Sequence, residues 1–223
     1  MSVEPQAPLD LVLPRRRAMG RADFVETDSN AVAAAMVGDW RAWPGGRLAL
    51  CGPEGSGKTH LAHVFMAESG AALARAAELA ADDAPRLTAR GAVVVEDVDR
   101  ASEAVEPALF HLFNLAAADG AVLLLTGRDA PSRWGLRLPD LVSRVVAMPL
   151  VRLGPPDDAL LAAVIAKALE DRGLRYEPGV PAYLAARIER TFAAAEAAVA
   201  RLDAASLARA RPVTRRLAAE VID

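Results

Sequence analysis

A glycine-rich stretch in the first third of the chain has the composition of a phosphate-binding loop. The stretch is GPEGSGKT, and it fits the Walker A pattern between an apolar run and a helix-forming run. Its glycines let backbone N–H groups close around phosphate oxygens, its lysine reaches the β and γ phosphates, and its threonine binds Mg²⁺. We therefore predict ADP or ATP with Mg²⁺ as ligands. The residues predicted to hold the nucleotide are Gly52, Pro53, Gly55, Ser56, Gly57, Lys58 and Thr59.

The alternative for this stretch is a chance glycine turn. A random match to the pattern is expected in only about one chain in a thousand of this composition. Of the 26 basic residues Lys and Arg, only Lys58 and Lys167 are lysines, and one of them stands at the position that requires a compact ammonium group. Nucleotide binding is therefore the stronger interpretation.

The acidic partner of this loop is predicted at the run Val93–Asp97. An apolar strand there ends in Glu96 and Asp97, about 40 residues after the loop, as in a Walker B motif. We expect Glu96 to contact Mg²⁺ together with Thr59, and Asp97 to have a catalytic role. The alternative is a buried strand that simply ends in solvated acids, and the order Glu before Asp departs from the usual pattern.

The surrounding elements alternate between strands and helices up to about residue 150, and only helices follow. Strands are predicted at 48–51, 72–73, 92–95, 121–125 and 145–148. Helices are predicted at 30–40, 58–68, 103–119, 138–144, 156–172, 179–189, 190–210 and 214–222. This pattern predicts an α/β domain over 21–152 and a small all-α domain over 153–223, preceded by a disordered lead over 1–20.

Composition and charge exclude several classes of protein. The chain has 223 residues, a net charge of −3 and a pI of about 5.7, which argues against a free-standing nucleic-acid binder. The one cysteine, Cys51, excludes an internal disulfide framework and suits a reducing compartment. No apolar run approaches the roughly 20 residues of a membrane span. We expect a cytoplasmic protein that has no contact with membranes.

Five segments in chain order together resemble the AAA+ module of the DnaA-related family, and within it the regulators of the Hda type. They are the Walker A and Walker B stretches followed by Leu109–Asn114, Leu124–Arg128 and Leu138–Arg144. The resemblance extends from about Gly20 to the C-terminus. It implies an AAA+ P-loop NTPase core with a parallel sheet and a small C-terminal all-α lid domain.

The resemblance also implies roles for single residues. Asp140–Arg144 resembles the segment that carries the arginine finger, so Arg144 would act in trans on the nucleotide of a neighbouring subunit. Arg190 resembles the sensor 2 arginine that binds nucleotide from the lid, and Thr126–Arg128 occupies the place of sensor 1. From the sequence alone, Arg144 could equally be an ordinary arginine at a helix end.

The N-terminal stretch Gln6–Leu11 resembles the peptide with which bacterial proteins bind the replicative sliding clamp. Gln6 would enter a polar subpocket, while Leu9 and Leu11 would enter an apolar groove. The resemblance implies as partners the DnaA initiator and the sliding clamp, which is the β subunit of DNA polymerase III. DNA would be contacted indirectly through the clamp, since we expect no basic helix-turn-helix domain. A homo-oligomer is compatible with the same resemblance.

These observations predict a negative regulator of chromosome replication initiation. It would bind the DNA-loaded clamp and stimulate hydrolysis of DnaA-bound ATP through Arg144, with its own ATPase weak or absent. Two other interpretations stay open from the sequence, an AAA+ ATPase resembling a helicase loader and a P-loop kinase for a small substrate.

Overall fold

Five short apolar runs form one parallel sheet in the computed structural model, which describes residues 24–222. The strands are Arg47–Cys51 (β1), Ala72–Arg75 (β2), Ala92–Glu96 (β3), Val122–Gly127 (β4) and Leu150–Arg152 (β5). Their order across the sheet is β2–β3–β4–β1–β5, and every neighbouring pair is parallel. All strands therefore end at the same edge, and β1 delivers the glycine-rich loop to that edge.

Nine α-helices accompany the sheet within residues 24–222. They are Ala31–Gly38 (α1), Lys58–Ser69 (α2), Asp83–Thr88 (α3), Glu106–Asp119 (α4), Pro139–Val146 (α5), Asp158–Asp171 (α6), Val180–Ala185 (α7), Phe192–Arg209 (α8) and Arg215–Ile222 (α9). None of the helices in this described part has both the length and the apolar character that a membrane crossing requires.

Alternate residues of the strands enter two separate cores, one on each face of the sheet. Val93, Val95 and Leu125 pack with α3, α4 and α5, whereas Val94 and Leu124 pack with α1 and α2. Because both faces of the sheet are covered, the runs 92–95 of β3 and 122–125 of β4 are apolar at every position and show no alternation in the sequence. This burial explains why β3 and β4 were predicted from their uninterrupted apolar runs.

The last predicted strand, 145–148, is wrong. Val145 belongs to α5, and the strand lies a few residues later, at Leu150–Arg152. Val145 and Met148 are buried three residues apart against the same core, which is the spacing of a helical face. Two adjacent valines favour a strand in isolation, but tertiary packing determines the outcome.

The helices after residue 157 have a core of their own. Leu161, Ile165, Leu184, Val199 and Leu202 are fully buried in it or nearly so. Two of these helices begin with side-chain caps. The Asp157 carboxylate accepts from the Leu160 N–H of α6, and the Thr191 hydroxyl accepts from the Ala194 N–H of α8. These caps fix where α6 and α8 begin, at the side of the sheet where the strands end.

A buried carboxylate on α4 holds the start of α5. Glu106 is only 3% exposed, and its side-chain oxygens accept from the backbone N–H of Arg137 at 2.9 and 3.0 Å and of Leu138 at 2.6 Å. These donors precede α5, whose first turn begins at Pro139. A charged acceptor at this place satisfies backbone donors and interacts favourably with the positive N-terminal end of the helix dipole. Glu106 therefore determines where α5 begins relative to α4.

The Glu106→Gln variant should be destabilised by about 2–3 kcal/mol, because a buried amide cannot accept from all of these N–H groups and brings its own donor among them. The measurement is the free energy of unfolding in urea. Glu103→Gln is the matched control, since Glu103 pairs with the side chain of the same Arg137 while both side chains are at least 70% exposed. The control should unfold like the unmodified chain, and equal destabilisation of both variants would contradict the role of Glu106.

Candidate nucleotide site and arginine surface

A cavity of about 940 Å³ lies where the strands end. Its walls are the glycine-rich loop, the first turn of α2, the segment before α1, and the helices α6 and α8. The lining residues from the loop and the start of α2 are Glu54, Gly55, Ser56, Gly57, Lys58, Thr59 and His60. The opposite wall contains Leu160, Val164, Lys167, Phe192 and Glu196. The loop thus faces a space that is large enough for a mononucleotide.

The glycines of the loop are required by close contacts with two other parts of the chain. A β carbon on Gly52 would lie 2.3 Å from the carbonyl oxygen of Leu153, just after β5. A β carbon on Gly57 would lie 2.9 Å from the Phe192 ring of α8, and Gly57 also has a left-handed φ of 95°. The sequence predicted that the glycines let the backbone approach phosphate groups. In the structure they also let the loop approach the C-terminal part of the chain.

Lys58 lies buried at the base of the loop. Its Nζ donates to the carbonyl oxygens of Gly52 at 2.7 Å and Pro53 at 2.9 Å. Burial lowers the pKa of Lys58, while the negative charges of Asp97 and Asp99 oppose that change. The ammonium group is therefore fixed inside the loop that would surround the phosphates.

Two polar side chains of the loop region fit a bound nucleotide. The Ser56 hydroxyl is buried and has no hydrogen-bond partner within the described residues, so it can bond to a phosphate oxygen. Thr59 is exposed, lines the cavity, and lies in the first turn of α2, whose N-terminus favours anions. These residues could hold the phosphates of a nucleotide, and the Thr59 hydroxyl could serve as a ligand of Mg²⁺.

The two acids predicted after β3 have different environments. Asp97 lines the cavity, adopts a left-handed φ of 55°, and donates its backbone N–H to the Thr126 hydroxyl at 3.2 Å. Glu96 ends β3, is 8% exposed, and is not among the residues that line the cavity. Asp97 is therefore the acid that faces the nucleotide space, and no group of three potential metal ligands occurs among the described residues.

One further acid, Asp99, was missed in the sequence. Its Oδ1 is buried without a hydrogen-bond partner in the described part of the chain, and its charge acts on Lys58. The sequence contains the acids Glu96, Asp97 and Asp99 in one run, but the Walker B pattern includes only the first two. An unpartnered buried carboxylate oxygen near the loop is suited to a water or a metal-bound water.

The predicted sensor 1 segment joins the loop to the acidic run. Thr126 is buried and accepts from Asp97, as described above, while Arg128 lies at the cavity and pairs with Glu54 of the loop at 2.5 Å. Arg100 approaches the same Glu54 carboxylate at 3.8 Å and Asp97 at 4.0 Å. Two guanidinium groups therefore lie at the phosphate end of the cavity.

Arg190, the predicted sensor 2 residue, is not one of the residues that line the cavity. Its guanidinium pairs with Asp158 at the start of α6 at 3.0 Å, and both side chains are more than half exposed. The neighbouring residues Thr191 and Phe192 contact the loop instead, at Gly55 and Gly57. The segment that carries Arg190 thus reaches the loop, while its guanidinium points to α6.

Arg144 lies away from this cavity. It is exposed in the last turn of α5, and its guanidinium carbon lies 5.2 Å from the ring centre of Phe110 on α4. Arg47, at the first residue of β1, is close enough that the charge of Arg144 lowers its pKa, after the larger effect of burial. Since the loop follows the last residue of β1, Arg144 and the loop lie toward opposite edges of the sheet. The clamp-binding residues Gln6, Leu9 and Leu11 lie outside the described residues.

Comparison with known proteins identifies the fold. No protein-family model matches the sequence. Domain III of the replication initiation protein DnaA from Thermotoga maritima is similar with a TM-score of 0.76 and 19% identity, over 95% of this chain and 100% of that one. The RuvB Holliday junction branch migration motor of Thermotoga maritima gives a TM-score of 0.70 and 20% identity, over 92% and 71%. AMPPCP-bound DnaA from Aquifex aeolicus is similar with a TM-score of 0.65 and 18% identity, over 79% of this chain and 62% of that one.

These likenesses confirm the predicted fold class. The chain has the AAA+ P-loop fold of DnaA domain III and RuvB, with a five-stranded parallel sheet and helices. It spans all of the DnaA domain but less than two thirds of the longer Aquifex chain.

Replacing Lys58 by alanine should weaken nucleotide binding by about 100-fold or more, since charge-assisted hydrogen bonds to phosphate oxygens would be lost. The measurement is a titration with a fluorescent ATP analogue in the presence of Mg²⁺. Arg86→Ala is the control, because Arg86 is an exposed cation on α3, paired with Asp83 and outside the cavity. Equal affinities of the two variants would contradict the assignment of the phosphate site.

Proposed function

We propose that this chain is a DnaA-related AAA+ regulator of the Hda type, which lowers the frequency of replication initiation by stimulating hydrolysis of DnaA-bound ATP. The observation that carries the proposal is the position of Arg144. It is exposed, rests on Phe110, and has no carboxylate partner in the part of the chain that the structure describes. It lies toward the sheet edge opposite the loop, which supports an action on a nucleotide held by another subunit rather than by its own chain.

The reaction in the partner is hydrolysis of its ATP. A water oxygen attacks the γ phosphorus, the bond from that phosphorus to the β–γ bridging oxygen breaks, and the products are ADP, inorganic phosphate and a proton. Negative charge spreads over the γ-phosphoryl oxygens and the leaving oxygen during transfer. The guanidinium of Arg144 would stabilise that charge, and such an arginine accelerates hydrolysis by about 10³–10⁵ in other systems.

The nucleotide of this chain would serve mainly to fix the arrangement of the module. Lys58, Ser56 and Thr59 would hold its phosphates and Mg²⁺, and the AMPPCP-bound state of the similar Aquifex DnaA supports nucleotide binding. The burial of Glu96 outside the cavity supports a slow or absent ATPase. A bound ADP or ATP would instead keep the loop and α8 in contact.

A second candidate is an ATPase that resembles a helicase loader and has its own catalytic cycle. The observation in its favour is that Asp97 and Asp99 both act electrostatically on Lys58, so two acids lie close to the phosphate site. In that function Asp97 would orient the attacking water. Turnover of ATP by this chain alone, unchanged by DnaA, would select this candidate.

The proposal includes a tether to the sliding clamp. Gln6, Leu9 and Leu11 would bind the clamp on DNA, in the cytoplasm, and raise the local concentration of the chain near clamp-associated DnaA. Contact with DNA would then be indirect. Pairing of copies into a homo-oligomer through the surface that carries Arg144 is part of the proposal as well.

Arg144→Ala should abolish stimulation of DnaA-ATP hydrolysis while leaving nucleotide binding by this chain unchanged. The measurement is phosphate release from ATP-bound DnaA with DNA and the loaded clamp. Arg137→Ala is the matched control, since Arg137 is an exposed arginine seven residues earlier whose side chain forms only a surface ion pair with Glu103. Unchanged DnaA turnover on adding the unmodified chain would refute the proposed function itself.

Gln6→Ala should weaken capture of the chain by the immobilised clamp about tenfold, because one hydrogen-bonding amide is removed from the predicted peptide. Surface plasmon resonance with the clamp gives the dissociation constant. Glu4→Ala, two residues before the peptide, should bind like the unmodified chain. Identical constants for all three proteins would remove the tether from the proposal without affecting Arg144.

A further inference from the structure

Two arginines from distant parts of the sequence lie over neighbouring aromatic rings of α4. The guanidinium carbon of Arg47 is 4.0 Å from the ring centre of Phe113, and that of Arg144 is 5.2 Å from the ring centre of Phe110. Phe110 and Phe113 are three residues apart on α4 and therefore occupy one face of the helix. The two aromatic rings hold two positive groups next to each other.

This pair of cations has no carboxylate to neutralise it among the described residues. Arg137 and Arg190, by contrast, pair with Glu103 and Asp158 at 3.0 Å. The mutual repulsion is reflected in Arg47, whose pKa is lowered by burial and then by the charge of Arg144. Adjacent like charges without a counter-ion are unfavourable, and a dianion placed against both would relieve the repulsion.

The face of α4 that contacts the two arginines also determines the position of α5, which carries Arg144. Glu106, Phe110 and Phe113 follow one another at spacings of four and three residues, so all three point to the same side. Glu106 fixes the beginning of α5, and Phe110 contacts Arg144 near the end of α5. Such support at both ends keeps α5, and with it Arg144, in a defined position beside Arg47.

We propose that Arg47 and Arg144 form a two-guanidinium site for the terminal phosphate of a nucleotide bound to the partner protein. The inference rests on the proposed function and extends it to a second residue outside the predicted motifs. Two planar guanidinium groups can share the oxygens of one phosphate, which suits the charge that develops during transfer.

The test combines single and double variants in the DnaA-ATP hydrolysis assay. Arg47→Ala should lower the maximal stimulated rate about 10- to 100-fold, with a smaller change in the concentration that gives half-maximal stimulation. Arg47→Lys should recover part of the rate, since it keeps the charge but not the planar fork. The double variant with Arg144→Ala should be no slower than Arg144→Ala alone, because both groups act on the same phosphate.

The control is Arg187→Ala, which removes an arginine stacked on Tyr183 at 3.9 Å in the C-terminal helices. Circular dichroism and thermal unfolding of every variant identify loss of folding, and Arg47→Lys provides the comparison if Arg47→Ala is unstable. A rate for Arg47→Ala equal to that of Arg187→Ala, or a double variant with additive losses, would overturn the proposal.

A second experiment tests the two-arginine site independently of the proposed function. Pyrophosphate is titrated into the isolated chain while the guanidinium Nε–H signals of Arg47 and Arg144 are followed by NMR. Movement of both signals, absent for the Arg187 signal, supports the pair even if DnaA turnover is unaffected. No movement of either signal overturns it. Stronger binding of duplex DNA than of pyrophosphate, lost in Arg47→Ala, overturns it too, since the occupant would then be nucleic acid.

Discussion

The close approach of backbone and side chains around the glycine-rich loop is the constraint on which the rest of the structure depends. Two different parts of the chain approach the loop where a β carbon would have to lie. They are Leu153 after β5, at Gly52, and the start of α8, with Thr191 at Gly55 and Phe192 at Gly57. These contacts leave no room for a β carbon at these three glycines. They also mean that the sheet and the C-terminal helices meet at the glycine-rich loop, so a movement of the loop would require a matching movement of the start of α8.

Helix α4 organises the opposite face of the sheet from α1 and α2. Its inner residues fill one core, while Glu106 and Phe110 hold α5 at its beginning and near its end. The cost of burying the Glu106 carboxylate is offset by backbone donors that would otherwise lack partners before α5. The same helix thus serves packing and, in the proposed function, the positioning of Arg144.

The sequence predicted those parts of the site that depend on neighbouring residues. The loop, with Lys58 and Thr59, follows a buried strand in the sequence as in the structure, and the apolar runs of β3 and β4 left little choice of element. The last strand was misplaced because valines at a helix end resemble a strand. Arg47 could not be found from the sequence, since its significance comes from Phe113 and Arg144, which lie far from it along the chain.

The loop and Arg144 lie toward opposite edges of the sheet, so the molecule has two different surfaces at its two ends. In the proposed function, the chain would bind phosphate near one edge of its sheet and present the Arg144 guanidinium toward the other, so a symmetric, face-to-face pair could not satisfy both contacts. Contacts of this kind are head-to-tail, and they either close into a ring or continue as a filament. A subunit added at one end of such a row exposes only one of its two surfaces, so a row of AAA+ modules would have two chemically distinct ends.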